Sequence, residues 1–255
     1  MTTAKDIQLP EGYGLQAFDV LDSTNEEAKR LAAEKPTQHL WVQADQQSAG
    51  KGRRGREWIS ERGNLFCSLL WKADCDLKTA SQLSFVSALA VRDVIADFLQ
   101  ADRRVLCKWP NDVLVDGKKV SGILLETAGE GLTDPEYVII GIGINLSRHP
   151  EEALYPASNL AELGCPDLEP LPALQSLVAS LDYWMTEWRQ KGFDYIRRRW
   201  LERAKGQGEQ IIIRLPDEEI HGRFIDLDVT GGLKVETESG IRVIAAGDVF
   251  FAPAG

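Results

Sequence analysis

The sequence is poor in the residues most used for metal and nucleophilic chemistry, with 3 His and 4 Cys among 255 residues. His39, His149 and His221 stand singly, and Cys67, Cys75, Cys107 and Cys165 are separated by 8, 32 and 58 residues. Those gaps match no zinc, redox or disulfide framework, so the thiols are expected to be free and reduced. No Gly-x-Ser-x-Gly elbow is present. Long apolar runs are missing too. Nothing approaches the ~18 residues of a membrane span, and the N-terminus has no apolar segment of a signal peptide, so a cytoplasmic protein without membrane contact is expected. Positive charge is in deficit: 29 Lys and Arg against 39 Asp and Glu leave a net charge of −10. That balance excludes a general nucleic-acid binder, whose footprint is a basic face.

What is present is globular: 44% hydrophobic and 27% charged residues, enough to build a packed core. Tyr13–Leu21 reads as a strand, and Ser23-Thr24-Asn25-Glu26 supplies a capping box for a helix to about Ala33. His39–Ala44, Asn64–Trp71, Val105–Trp109, Val113–Val115, Val120–Leu125 and Tyr137–Leu146 have strand character, with Asp116-Gly117 as a tight hairpin turn. Leu83, Val86, Ala90, Val94, Ile95, Phe98 and Leu99 recur at helical spacing and predict one apolar face on a sheet. Leu174, Leu177, Val178, Leu181, Trp184, Met185 and Trp188 predict a second long helix, continued by Phe193–Trp200. The class is therefore α+β, a mixed or antiparallel sheet with flanking helices. After Gly206 the pattern changes to four short strands, Ile211–Leu215, Ile220–Leu227, Leu233–Thr237 and Ile241–Ala245, which read as a small C-terminal barrel. The expected division is a first domain over 1–205 and a second over 206–255.

Two segments carry chemistry. Gly50-Lys51-Gly52-Arg53-Arg54-Gly55-Arg56 places four cations and three glycines in seven residues; with Glu57 the stretch is +3 and the remainder −13. Glycines admit close backbone approach and the cations neutralise an anion, which suits a polyphosphate or acyl phosphate. The formal Gly-x-Gly-x-x-Gly match fails as a dinucleotide fingerprint because no apolar-periodic helix opens behind it, and no Walker A loop exists. In Lys108-Trp109-Pro110-Asn111-Asp112, Pro110 breaks a strand and aims the two polar residues. Lys108, between Cys107 and Trp109 on a buried strand, needs an anion or a route to solvent. Lys119 by itself reads as a surface hairpin lysine.

Taken together, Ser23-Thr24-Asn25, the run from Gln47 to Trp58, Lys108–Asp112, Lys119-Val120-Ser121-Gly122-Ile123-Leu124 and Gly141-Ile142-Gly143-Ile144-Asn145 resemble, in order, the motifs of biotin protein ligases. The resemblance spans about residues 13–250 and includes that family's small SH3-like C-terminal domain. It implies a catalytic domain related to class II aminoacyl-tRNA synthetases. It also implies a two-step reaction: biotin and Mg-ATP form biotinyl-5′-adenylate and pyrophosphate, then a lysine of biotin carboxyl carrier protein takes the biotinyl group. A carboxylate attacking a polyphosphate meets like-charge repulsion, so clustered cations and Mg²⁺ are the main requirement.

Carried over by position, Ser23, Thr24, Asn25 and Gln47 correspond to the polar groups on the biotin ureido ring. Gly50, Lys51, Gly52 and Arg53 belong to the loop closing over biotin and the adenylate, with Arg53 the phosphate contact. Arg54 and Arg56 would assist pyrophosphate or hold the loop. Lys119 becomes the cation at the biotin carboxylate, and Lys108 joins it as a catalytic cation. Asn111 and Asp112 would organise phosphate or metal, Asp112 being the candidate Mg²⁺ ligand; Trp58 and Asn145 would contact adenine. The family commonly has arginine where this chain has Lys51, and an ammonium cannot make arginine's planar fork, which implies weaker retention of the adenylate. Only 22 residues precede Ser23, so the winged helix-turn-helix of some members is not expected, nor is DNA binding. A homodimer is compatible with the sequence.

The alternative within the superfamily is a lipoate or octanoate ligase, which would want a more apolar acyl pocket than Gln47 and the Gly/Arg loop offer. The alternative outside it is a non-catalytic single-strand RNA module built on the arginine loop, Trp58 and the barrel. It leaves Lys108–Asp112 and the acidic remainder unexplained.

Overall fold

A computed structural model describes residues 3–99, 103–129, 133–151 and 155–251. Within them the chain forms β1 (Tyr13–Leu21), α1 (Thr24–Ala33), β2 (His39–Gln47), β3 (Leu65–Lys72), α2 (Leu77–Ala80), α3 (Leu83–Leu99), β4 (Val105–Lys108) and β5 (Asp112–Val115). It continues through β6 (Lys118–Ala128), β7 (Tyr137–Ile144), α4 (Pro170–Lys191), α5 (Phe193–Leu201), β8 (Gln210–Arg214), β9 (Glu219–Leu227), β10 (Leu233–Thr237), β11 (Gly240–Ile244) and β12 (Asp248–Phe251).

The first seven strands make one mixed sheet in the order β1-β2-β3-β7-β6-β5-β4. β1 and β2 are parallel, as the α1 crossover between them requires, and the other pairs are antiparallel. Strand β7 shows how the sequence sorts the two faces. Val138, Ile140, Ile142 and Ile144 enter the main core under α3 and α4, while Ile139 packs with Ala28, Leu31 and Ala32 of α1 on the other side. By the two-residue alternation of a strand, Gly141 and Gly143 continue the Ile139 face. A strand apolar on both faces reads as an unbroken run, which is why the α1 layer was not legible in it.

Three expectations are corrected. Ser23 does occupy the N-cap of α1, but its side chain makes no capping bond; the Glu26 carboxylate meant to complete the box is held by Lys29 and Lys51 instead. Helix α3 is not one-sided: Phe85 through Val91 are buried on every face. Helix α4 covers its outer side, with Ser180 Oγ donating to the Ala90 carbonyl and the Trp184 and Trp188 indoles donating to Asp93 and Gln82. Phe193 begins a separate helix, because Gly192 at φ 73° ends α4.

The last five strands form an antiparallel sheet ordered β11-β10-β9-β8-β12. The meander of four was legible, whereas β12, which returns to pair with β8, was not read as a strand. The four cysteines are free, and burial pushes the Cys67 and Cys107 thiols up, Cys107 to about 12. Among the described residues no helix is long and apolar enough to cross a membrane.

Candidate active site

The α1 helix covers only part of its face of the large sheet. Beside it lies a cavity of about 360 Å³, enclosed by the N-terminus of α1, the loop between β2 and β3, strands β6 and β7, and the start of β12.

One end is polar and uncharged. The Gln47 side-chain carbonyl accepts from the Thr24 backbone N–H at 2.8 Å and from the Thr24 hydroxyl at 3.2 Å, and its amide donates to Ser60. Ser68, fully buried on β3, has its hydroxyl within hydrogen-bond reach of Thr24 Oγ1 at 2.7 Å and of Asn25 Oδ1 at 2.6 Å. Asn25 in turn donates to Glu126, which Lys29 neutralises at 2.6 Å. Gly141 sits beneath Asn25, where any Cβ would overlap its amide. The network fastens Thr24, Asn25 and Gln47 to the sheet and leaves the Ser23 hydroxyl uncommitted by a cap. A neutral hydrogen-bonding solute is what such an end can receive.

The other end is cationic. The β5–β6 pairing slips one residue after Val113, so Leu114 opposes Lys119 where regular pairing would oppose it to Val120. That bulge turns Lys119 onto the face of the sheet that Leu114 and Asp112 share. The ammonium lies 2.6 Å from Asp112 Oδ1 and 5.2 Å from the Trp58 ring; the Asp112 contact lies outside hydrogen-bond geometry and is Coulombic. Lys108, opposite Asp112 across β4–β5, is 4% exposed with its ammonium 3.3 Å from the Tyr155 centroid. Burial lowers it to about 8, Asp112 opposing and Lys119 adding to the effect. Arg53 donates to Asn111 Oδ1 at 3.1 Å, and Asn111 is pinned by its own amide on the Ile123 carbonyl. Desolvation also lowers Arg53.

Trp58 lies over the paired Gly122 and Gly143, where a Cβ at 143 would come within 2.6 Å of the indole. Asn145 is buried, and its amide donates to the Ser158 carbonyl at 3.1 Å. Of the residues singled out by sequence, Ser23, Thr24, Asn25, Gln47, Lys51, Gly52, Arg53, Arg56, Trp58, Lys108, Asn111, Asp112, Lys119 and Asn145 line this one cavity. Gly50 and Arg54 do not. Gly50 packs at the loop base against Ser60 and the Trp58 carbonyl, and Arg54 turns to Asp248. Sequence reasoning missed Ser68, Glu126, Tyr155 and Asp248. A serine and an acid on buried strands were the only local signals for the first two; the others had none.

A helix-flanked mixed sheet whose cleft runs from a neutral polar end to convergent cations, with a small β-sheet closing its rim, defines a ligase of the biotin–lipoate class. The chain belongs to the biotin/lipoate A/B protein ligase family, whose profile matches residues 17–145, and residues 207–252 match the biotin protein ligase C terminal domain. It is 40% identical over 236 residues to the biotin–acetyl-CoA-carboxylase ligase of Paracoccus denitrificans, covering 90% of this chain and 97% of that one. The Mycobacterium tuberculosis ligase of the same name is 30% identical over 257 residues, with coverage of 96% and 92%. Among solved structures, the biotin protein ligase from Aquifex aeolicus in complex with biotin and ATP superposes with a TM-score of 0.78 at 29% identity, covering 93% and 97% of the two chains.

Proposed function

We propose that this ligase condenses biotin with ATP to biotinyl-5′-adenylate and then transfers the biotinyl group to a lysine of biotin carboxyl carrier protein, in the cytoplasm. The observation that carries this reading is the continuity of the cavity: the Ser23–Asn25 and Gln47 end suits a neutral ureido ring, and Lys119 stands where that end meets the cations. In the first step a biotin carboxylate oxygen bonds to the α-phosphorus while the bond to the bridging oxygen of pyrophosphate breaks. Lys119 screens the attacking carboxylate, and Arg53, held by Asn111, meets charge on the phosphate. Lys108 and Arg56 add positive field, and Trp58 and Asn145 wall the nucleotide side. In the second step the acceptor amine bonds to the acyl carbon, the carbon–oxygen bond to AMP breaks, and the amine gives up a proton.

Among the described residues no cluster of three His, Cys, Asp or Glu is arranged to hold a metal. That suits Mg²⁺ bound mainly through substrate phosphates, with Asp112 as its carboxylate, shared with Lys119. The ion would supply charge neutralisation on the triphosphate.

The test is pyrophosphate release and acyl-adenylate mass with Mg-ATP and biotin, lipoate or octanoate. A biotin-only signal that falls at least about 100-fold in Lys119→Ala is expected; a signal with lipoate or octanoate instead would reassign the substrate. Labelling of a carrier-protein lysine by the isolated adenylate complex tests the second step.

A further inference from the structure

We propose that Asp248 is a positioning residue of this reaction, reaching from the C-terminal sheet to latch the 50–58 loop closed over the adenylate. The loop is a small hairpin. Lys51 and Glu57 form a bridge, Gly52 N–H donates to the Arg56 carbonyl at 2.7 Å, and Trp58 N–H donates to the Gly50 carbonyl at 2.9 Å. Its tip is a single turn, Arg53–Gly55, in which Arg54 adopts φ 56° and Gly55 φ 72°. Arginine disfavours that left-handed region, so the tip needs outside contacts to hold it.

Those contacts divide cleanly. Lys51 at the base goes to Glu26 of α1 at 2.6 Å, and Arg53 goes to Asn111 between β4 and β5. Arg54 and Arg56 both go to Asp248, one to each carboxylate oxygen, at 3.1 and 2.9 Å. This third anchor alone belongs to the other sheet. Its strand is itself keyed to the cavity wall: Asp248 pairs with Arg214 of β8, and Phe250 packs on Tyr155 at 5.0 Å, the ring that carries the Lys108 ammonium. The local charge sum is also right for a latch that works with substrate present. Two guanidiniums on one carboxylate leave a positive excess, and each guanidinium has five N–H donors of which Asp248 takes one, so phosphate oxygens can be bound without breaking the anchor.

The test compares the parent with Asp248→Asn and the conservative Asp248→Glu. In the ligand-free proteins, amide hydrogen exchange across 50–58 is expected to quicken at least tenfold in Asp248→Asn and to return toward the parent rate in Asp248→Glu. With adenylate formed in place, its half-life is expected to fall about tenfold in Asp248→Asn, with KM for biotin within twofold of the parent. In the exchange measurement Arg54→Ala/Arg56→Ala should quicken 50–58 to the same degree, and adding Asp248→Asn to it should change nothing more. Unchanged exchange overturns the latch, and faster exchange with an unaltered adenylate half-life overturns its role in the reaction. Should Asp248→Asn fail to fold, the double variant on the exposed loop reads the same contact from its other side. The adenylate arm rests on the proposed function; a parent that makes no adenylate refutes that function, while the exchange arm still decides the latch.

Discussion

Lys108 shows what single residues cost and supply in this cleft. Its drop from 10.5 to about 8 corresponds to roughly 3 kcal/mol of burial penalty at neutral pH, against about 1–2 kcal/mol from the cation–π contact with Tyr155. Burial wins, so Lys108→Met is expected to be more stable than the parent by about 1–2 kcal/mol at pH 7. The sign with pH follows from proton counts. Between pH 8 and 10.5 the unfolded chain holds a proton on Lys108 that the folded chain has lost, so the parent gains stability relative to the variant as pH rises. Thermal melts of both at pH 7 and pH 10 should show that gap closing. Activity should move the other way: Lys108→Met loses adenylation about tenfold or more, and the parent's KM for ATP climbs above pH 8 while the variant's stays flat. A parent that melts above the variant at pH 7 would refute the burial argument.

At the scale of elements, the site is built by strand alternation and one bulge. β7 must be bulky on the α3–α4 side and empty on the α1 side, and Ile140, Gly141, Ile142, Gly143 and Ile144 meet both demands. Gly141→Ala would drive a Cβ into Asn25, displacing it from Ser68 and Glu126. Expected is a rise of about tenfold or more in KM for biotin, since one or two hydrogen bonds are lost, with KM for ATP little changed; steady-state kinetics in both substrates separates the two. Glu126→Gln tests the same seat from β6. It keeps the hydrogen-bond reach toward Asn25 but removes the charge beside Lys29, so a milder weakening of biotin binding is expected by calorimetric titration. The Ser-Thr-Asn motif and the glycine alternation were both legible in the sequence. Their meeting was not, because Asn25 and Gly141 are separated by more than a hundred residues and are brought together only by the β3–β7 pairing, which sets Gly141 opposite Ser68, and by the seating of α1 on Ser68.

At the scale of the molecule, the two sheets share a seam. The Trp109 indole donates to the Gly231 carbonyl at 2.9 Å, and Phe85 lies against Gly231 so closely that no Cβ would fit there. Arg197 holds both Asp226 and the Leu227 carbonyl. Residues 107, 203 and 205 exchange backbone hydrogen bonds at the end of β4. These buried contacts couple the sheets, so calorimetry should show one unfolding transition. All 7 Trp precede residue 206, so fluorescence reports mainly the first part of the chain and the seam through Trp109, and hydrogen exchange of β8–β12 supplies the second sheet. Equal limiting protection in the two sheets is expected; an earlier opening of 210–251 would show that the seam is weak.

The sequence by itself determined the local order of this protein. Periodicity set the strand Tyr13–Leu21 and the helix Leu83–Leu99, the Asp116-Gly117 dipeptide set a hairpin, and the motif residues placed most of the cavity lining, because spacing along one element is encoded within that element. Composition likewise set aside the four positive charges of the 51–56 segment in an acidic chain. Tertiary structure alone decided which charges meet. Glu26 left its expected cap for Lys51 and Lys29, and a one-residue bulge brought Lys119 to Asp112. Asp248, on a strand too short to read, became the partner of two arginines nearly two hundred residues earlier. Pairings of this kind depend on strand register and on the packing of one sheet against another, and neither leaves a periodic trace in the chain.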